Sequence, residues 1–262
     1  MKLIDKKQDD IFGTVYKYEH ESTPIMGIEG KTFIDFTSSN QVDFGQIDTE
    51  ICLALATTTL DTYPIVSGVT PPELAISDLD AKFESQIMYE YTGDREVIKN
   101  LSPMERRKYL MFKHGSCSPW FFILSVKPSL FADRMKDTQP WSTIADKMPS
   151  LKKCIEQLPF SEVGRVVIYG SWQESRVPCH RDTPPSTEYG HQINFNPGGY
   201  RPVYVYDSLN KVKHYLPEDY KFYSYNVSDY HGVDPMPKFT YTVRVDGTFN
   251  DDALAIISSK SS

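Results

Sequence analysis

From Gly164 to Phe249 the chain is a succession of short aromatic and β-branched runs broken by Pro, Gly and Asp. That texture predicts strands, not helices. Six are expected here, over Arg165 to Tyr169, His191 to Phe195, Pro202 to Tyr206, Lys211 to Leu216, Lys221 to Asn226 and Thr240 to Val245. Asn196-Pro-Gly-Gly separates the second from the third, and Asp207-Ser-Leu-Asn the third from the fourth, so both junctions are predicted to be hairpins. Short strands at such spacing favour an antiparallel sandwich or barrel over a βαβ array.

The residues before Gly164 have a different pattern. Gly13 to Tyr18 and Thr32 to Phe36 read as strands, and Pro119 to Val126 as a buried apolar run. Glu50 to Leu60, Glu73 to Tyr91 and Ser102 to Phe112 read as helices. Thr143 to Leu158 is predicted as one more helix, with Ile144, Met148, Leu151, Ile155 and Leu158 on one face, which needs a sheet to cover. The predicted organisation is a single catalytic domain: residues 1–160 supporting, residues 161–250 forming the core, and residues 251–262 a tail.

Charge and cysteines narrow the function classes. Lys and Arg number 28 against 35 Asp and Glu, a net charge of -7, which disfavours broad nucleic-acid binding. Met1 to Asp10 has no apolar run behind its lysines, so neither a secretory signal nor a membrane anchor is expected, and the cytosol is the expected compartment. The longest strongly apolar run, Trp120 to Leu124, is far too short to span a bilayer. Cys52, Cys117, Cys154 and Cys179 form no CxxC pair, which argues against a zinc ribbon or a dense disulfide framework.

The chemistry concentrates in Val177-Pro-Cys-His180-Arg-Asp182-Thr-Pro-Pro. Side chains alternate along an extended segment, so His180 and Asp182 are expected on one side, within reach of a common ion. His231, 49 residues beyond Asp182, is a third candidate ligand. Two His and one carboxylate form the facial set associated with non-haem Fe(II) oxygenases. Thirteen residues on, Arg244 lies in the apolar and aromatic strand Phe239-Thr-Tyr-Thr-Val-Arg244-Val. A permanently charged planar fork in such a strand calls for a carboxylate or phosphate partner.

With these residues the sequence resembles the Fe(II)/2-oxoglutarate-dependent dioxygenase superfamily, over roughly Gly164 to Gly247. Within it the chain is most similar to the compact aspartyl/asparaginyl and prolyl hydroxylase type. The resemblance implies a mainly β, α+β fold with supporting helices around a double-stranded β-helix, the jelly-roll or cupin-like core. It implies Fe(II) held by His180, Asp182 and His231, and 2-oxoglutarate whose far carboxylate meets Arg244. It also implies O2 as oxidant and hydroxylation of an amino-acid side chain, free or in a peptide. Halogenating relatives have Gly or Ala where Asp182 stands, so halogenation is disfavoured.

Further candidates surround this set. His191 and Asn194 are expected to contact 2-oxoglutarate or substrate. Tyr169 and Ser171 are candidates to line the cosubstrate pocket, and Trp172 to wall the substrate site. Arg181 and Cys179 should point away from the metal by alternation. A small-molecule or peptide partner is expected. A nucleobase, lipid or secondary metabolite, or a non-oxidative cupin-like metal protein, remains an alternative. Oligomeric state is open.

Overall fold

The computed structural model describes residues 1–37, 42–57, 89, 95–102, 109, 122–129, 133–171 and 176–259. Eight strands form the core: β5 (Phe160–Ser171), β6 (Val177–His180), β7 (Gln192–Phe195), β8 (Val203–Asp207), β9 (Val212–Tyr215), β10 (Phe222–Ser224), β11 (His231–Val233) and β12 (Thr240–Phe249). Ahead of them lie the hairpin β1 (Lys2–Asp9) and β2 (Gly13–Glu19), then β3 (Ile34–Asp35) and β4 (Phe122–Lys127). The helices are α1 (Phe44–Thr57), α2 (Arg95–Ile98), α3 (Pro149–Glu156) and α4 (Asp251–Ser258), with a 3₁₀ turn over Thr143–Lys147.

The larger sheet runs β3-β10-β7-β12-β5-β4 and the smaller β6-β11-β8-β9. Within the core β5 pairs with β12, β6 with β11, β7 with β10 and β8 with β9, all antiparallel. This is one long hairpin wound on itself, the expected double-stranded β-helix. Its tip is the β8–β9 turn, where Asp207 Oδ1 accepts from the backbone N–H of Leu209 and Asn210. The other expected hairpin is corrected. The Asn196–Gly199 turn closes, with Gly199 N–H donating to Asn196 O and Gly199 at φ +99°. It carries the chain from the larger sheet to the smaller, so β7 and β8 never pair.

Alternation along the larger sheet explains why both its faces are buried. On β12, Tyr241, Val243 and Val245 pack outward against the helices, as do Val166 and Ile168 of β5 and Ile193 and Phe195 of β7. Ile47, Ile51 and Ala54 of α1 and Leu151 and Ile155 of α3 cover them. The intervening residues face the barrel and are largely polar: Thr242, Arg244 and Asp246 on β12, Gln192 and Asn194 on β7, Tyr169 and Ser171 on β5. A sheet with an apolar outer face and a buried polar inner face encloses a site, because buried polar groups are disfavoured unless they are bonded or bind something.

The helices depart from expectation where proline intervenes. The predicted helix over Thr143 to Leu158 is divided at Met148 (φ -131°, ψ 58°), because Pro149 begins α3 and disfavours helical backbone in the residue before it. All five residues of its predicted face are still buried. The backbone N–H groups of Ser150 and Leu151, unsatisfied within α3, donate to Glu50 of α1, which ties the two helices. Residues 251–258, expected as tail, form α4: Asn250 caps it by accepting from Ala253 N–H, and Ala253 and Ile257 bury one face. Most of the predicted helices Glu73 to Tyr91 and Ser102 to Phe112 lies outside the described residues.

Gly232 shows how closely β11 is held between β6 and β8. A Cβ there would meet Tyr204 Oη at 2.5 Å and Val177 O at 2.8 Å. Gly232→Ala should therefore destabilise the fold by about 1–3 kcal/mol and displace the adjacent His231. Urea denaturation and metal affinity measured on the same variant check both effects.

Candidate metal centre

His180 closes β6 and His231 opens β11, and the antiparallel register sets the two directly opposite. Between the pairs His231–His180 and Val233–Val177, β6 carries one residue more than β11, a bulge that re-aims the end of the strand. The imidazole centroids are 4.4 Å apart. His180 Nδ1 lies 2.7 Å from Pro178 O, and His231 Nδ1 2.9 Å from Asp229 O. A carbonyl oxygen can only accept, so Nδ1 carries a proton in both rings and Nε2 is the ring atom turned inward.

Asp182 completes the set by a route that strand alternation did not foresee. The strand stops at His180, and Asp182 sits in the bend beyond it, fixed by its N–H donating to Val227 O at 3.0 Å. Asp182 Oδ1 lies 3.3 Å from His180 Nε2 and 3.7 Å from His231 Nε2. One ligand atom from each residue falls within 4.8 Å of the others, the spacing at which three donors share one ion. Burial pushes His231 down to about 4, helped by repulsion from His180, so it is neutral at pH 7 and able to donate its lone pair. Burial opposes ionisation of Asp182, but the adjacent rings of His180 and His231 and the permanent charge of Arg244 hold its carboxyl well below the usual carboxylate range. Two imidazoles and one carboxylate fit a divalent transition metal, with the remaining positions available to other ligands.

Arg244 Nε donates to Asp246 Oδ1 at 2.9 Å and Nη1 lies 3.4 Å from Asp182 Oδ2, while Nη2 is buried with no hydrogen-bond partner among the described residues. Asp246 also accepts from Arg165, at 2.9 Å to Nε and 2.8 Å to Nη2. Sequence reasoning missed Asp246 and Arg165. Their signal was available, since Arg244 and Asp246 stand two apart on one strand and so share a face.

The remaining candidates divide. Tyr169 and Asn194 line the cavity beside His180, His231 and Arg244, and Ser171 bonds another lining residue, Arg201. The structure places His191 elsewhere: its ring stacks on Phe249 at 4.5 Å and its Nδ1 accepts from Phe249 N–H, which turns it toward the sheet's outer packing. Arg181 lies over Tyr230, 3.8 Å from the centroid, and donates to Thr23. Cys179 offers its carbonyl to His20. Trp172 lies outside the described residues. No described helix is long and apolar enough to cross a membrane.

No family model and no curated protein matches the chain. Solved structures are similar to it. A 2OG-Fe(II) oxygenase family oxidoreductase from Burkholderia pseudomallei shares 10% identity over 47% of this chain and 66% of its own length, with a TM-score of 0.33. A Trichoplax adhaerens prolyl hydroxylase, solved with a hypoxia inducible factor peptide fragment, shares 11% over 52% and 74%, with a TM-score of 0.31. A Pseudomonas putida prolyl-4-hydroxylase shares 11% over 49% and 71%, with a TM-score of 0.28. These neighbours carry the family name that the sequence resembles. At such scores the superpositions carry no argument about this chain, and the functional case rests on its own strand order and ligand geometry.

Asp246 joins two arginines in the interior and is 1% exposed. Asp246→Asn should lower stability by about 3–5 kcal/mol, because it leaves buried guanidinium charge uncompensated. Burial raises the carboxyl's pKa, but the charges of Arg244, Arg165 and Arg134 lower it more, so the net shift is downward. A depressed folded value makes the ionised form the stabilising one: its contribution is complete above the ordinary carboxylate range and is lost as pH falls through the folded value. Urea midpoints measured between pH 7 and pH 3 should show a steep acid decline in the wild type and a shallower one in the variant.

Proposed function

We propose that the chain is a non-haem Fe(II)/2-oxoglutarate-dependent oxygenase that hydroxylates an unactivated C–H bond of an amino-acid side chain, free or peptidyl. The observation that carries this is the His180, Asp182 and His231 set, its three ligand atoms within 4.8 Å, with both buried histidines in the wall of a cavity that Arg201 and Arg244 also line. The sequence resemblance supports it independently of that geometry. When bound, ferrous ion and 2-oxoglutarate would supply O2 activation, with loss of CO2, release of succinate and transfer of one oxygen atom to the substrate.

The chain's own residues do the rest. His180 and His231 hold their protons at Nδ1 on backbone carbonyls, which keeps both Nε2 atoms turned inward as donors. Asp182 stays ionised beside Arg244, which fixes the carboxylate's second oxygen. Tyr169, Tyr225 and the valines of the smaller sheet wall the cavity beside these groups. Asn194, whose side chain donates to Tyr223 O at 3.5 Å, keeps its own carbonyl oxygen available to a ligand.

The test is an anaerobic titration with Fe(II) and then 2-oxoglutarate, followed by the weak visible charge-transfer band of a metal-bound keto acid. A band in the wild type that is absent in Asp182→Ala, together with succinate release on admitting O2 with an amino-acid or peptide panel, is expected. Metal retention by Asp182→Ala equal to the wild type, or no band with either protein, would remove the oxygenase assignment.

A further inference from the structure

Sequence reasoning passed over Arg201, which follows the Asn196–Gly199 turn and precedes β8. It is 3% exposed. Its Nη1 donates to Thr242 Oγ1 at 2.8 Å and its Nη2 to Ser171 Oγ at 2.6 Å, while Nε is buried with no hydrogen-bond partner among the described residues. Among the described residues no carboxylate lies within ion-pair distance of it, and the groups in its field are the phenols of Tyr223 and Tyr225. Burial pushes it down to about 10, so the guanidinium remains charged at neutral pH. A buried cation bonded only to neutral hydroxyls is an unfavourable arrangement unless an anion joins it.

Arg244 presents the opposite case. It faces two carboxylates, Asp246 and Asp182, and so is largely compensated by the protein itself. Both arginines line one cavity. Thr242, which receives Arg201, and Arg244 stand two residues apart on one face of β12, a separation of about 7 Å. The metal ligands and Arg244 therefore occupy one end of the cavity, and the uncompensated Arg201 with two hydroxyls lies further along it. That offset suits a short diacid whose oxo-acid end reaches the metal. Ser171 accepts from Arg201 and retains a proton to give, so it can donate to a carboxylate on the same side.

We propose that Arg201, with the hydroxyl of Ser171, receives the far carboxylate of the 2-oxo diacid, while Thr242, whose own proton goes to Asn196 Oδ1, only orients Arg201, and that Arg244 is a positioning residue that holds Asp182 for the metal. This rests on the oxygenase assignment and reassigns within it the role that the sequence gave to Arg244. The two arginines thus separate diacid recognition from metal holding.

The experiment uses the full chain under anaerobic conditions. Mn(II) affinity is read from the magnetic resonance signal of free Mn(II), and calorimetry on the Mn(II)-loaded protein compares 2-oxoglutarate with 2-oxobutyrate, which lacks the far carboxylate. The wild type should prefer the diacid by more than tenfold. Arg201→Gln should bring that ratio close to one and leave Mn(II) affinity unchanged. Arg244→Gln should weaken Mn(II) by tenfold or more and keep the ratio in the protein that remains loaded. Arg201→Lys, which keeps the charge, should retain part of the ratio, and Ser171→Ala should lower diacid affinity several-fold without affecting 2-oxobutyrate; these two variants decide the matter if Arg201→Gln fails to fold. Loss of the ratio in Arg244→Gln, alone or together with Arg201→Gln, overturns the division of roles. A wild type that holds Mn(II) but binds neither keto acid overturns the oxygenase assignment itself, and this inference with it.

Discussion

The antiparallel winding of the core about the β8–β9 turn is the constraint on which the rest depends. Once the chain reverses at Asp207–Asn210, each earlier strand acquires one later partner: β7 takes β10, β6 takes β11 and β5 takes β12. The metal set follows directly. His180 and His231 are far apart in the chain and opposite each other in space because their strands pair in that order. Closing so long a loop has an entropic cost that grows only slowly with its length, so the separation is tolerable once the intervening strands are paired.

The barrel interior reverses the usual polarity of a core. Valines and isoleucines of the larger sheet turn outward under α1, α3 and α4, and threonine, asparagine, arginine and aspartate turn inward. Burying those polar groups opposes folding, and the apolar outer layer offsets it at about 25 cal/mol per Å² of apolar surface removed from water. Arg165, Asp246, Arg244 and Asp182 form a chain of alternating charges that keeps most of the interior compensated. Arg201 lies outside that chain. The division is chemically sensible: charges that the protein satisfies itself hold the site in shape, and a charge left unsatisfied is free to select a ligand.

Much of the site was legible in the sequence, for different reasons at different residues. His180, Asp182, His231 and Arg244 were identifiable because few side chains can bind a metal or an anion and their order along predicted strands is restrictive. Asn194 was found as a polar residue in a strand. His191, equally polar and three residues earlier, faces Phe249 instead, and nothing in its local sequence distinguishes it from Asn194 beyond a pleat whose register was not yet known. Arg201 was not legible: beside a Pro-Gly-Gly turn an arginine reads as a solvated charge, and only the crossing of that turn into the smaller sheet puts it inside.

The sequence by itself determined six of the eight core strands, the outer face of the divided helix and the identity of the candidate ligating side chains, because periodicity, turn residues and donor chemistry are local properties. Tertiary structure decided whether a turn closes a hairpin or changes sheets, which of two arginines is compensated, and how Asp182 reaches the histidines after β6 has ended. Those outcomes depend on strand pairing and on which charges meet across the barrel, and both are set by residues tens of positions away in the chain.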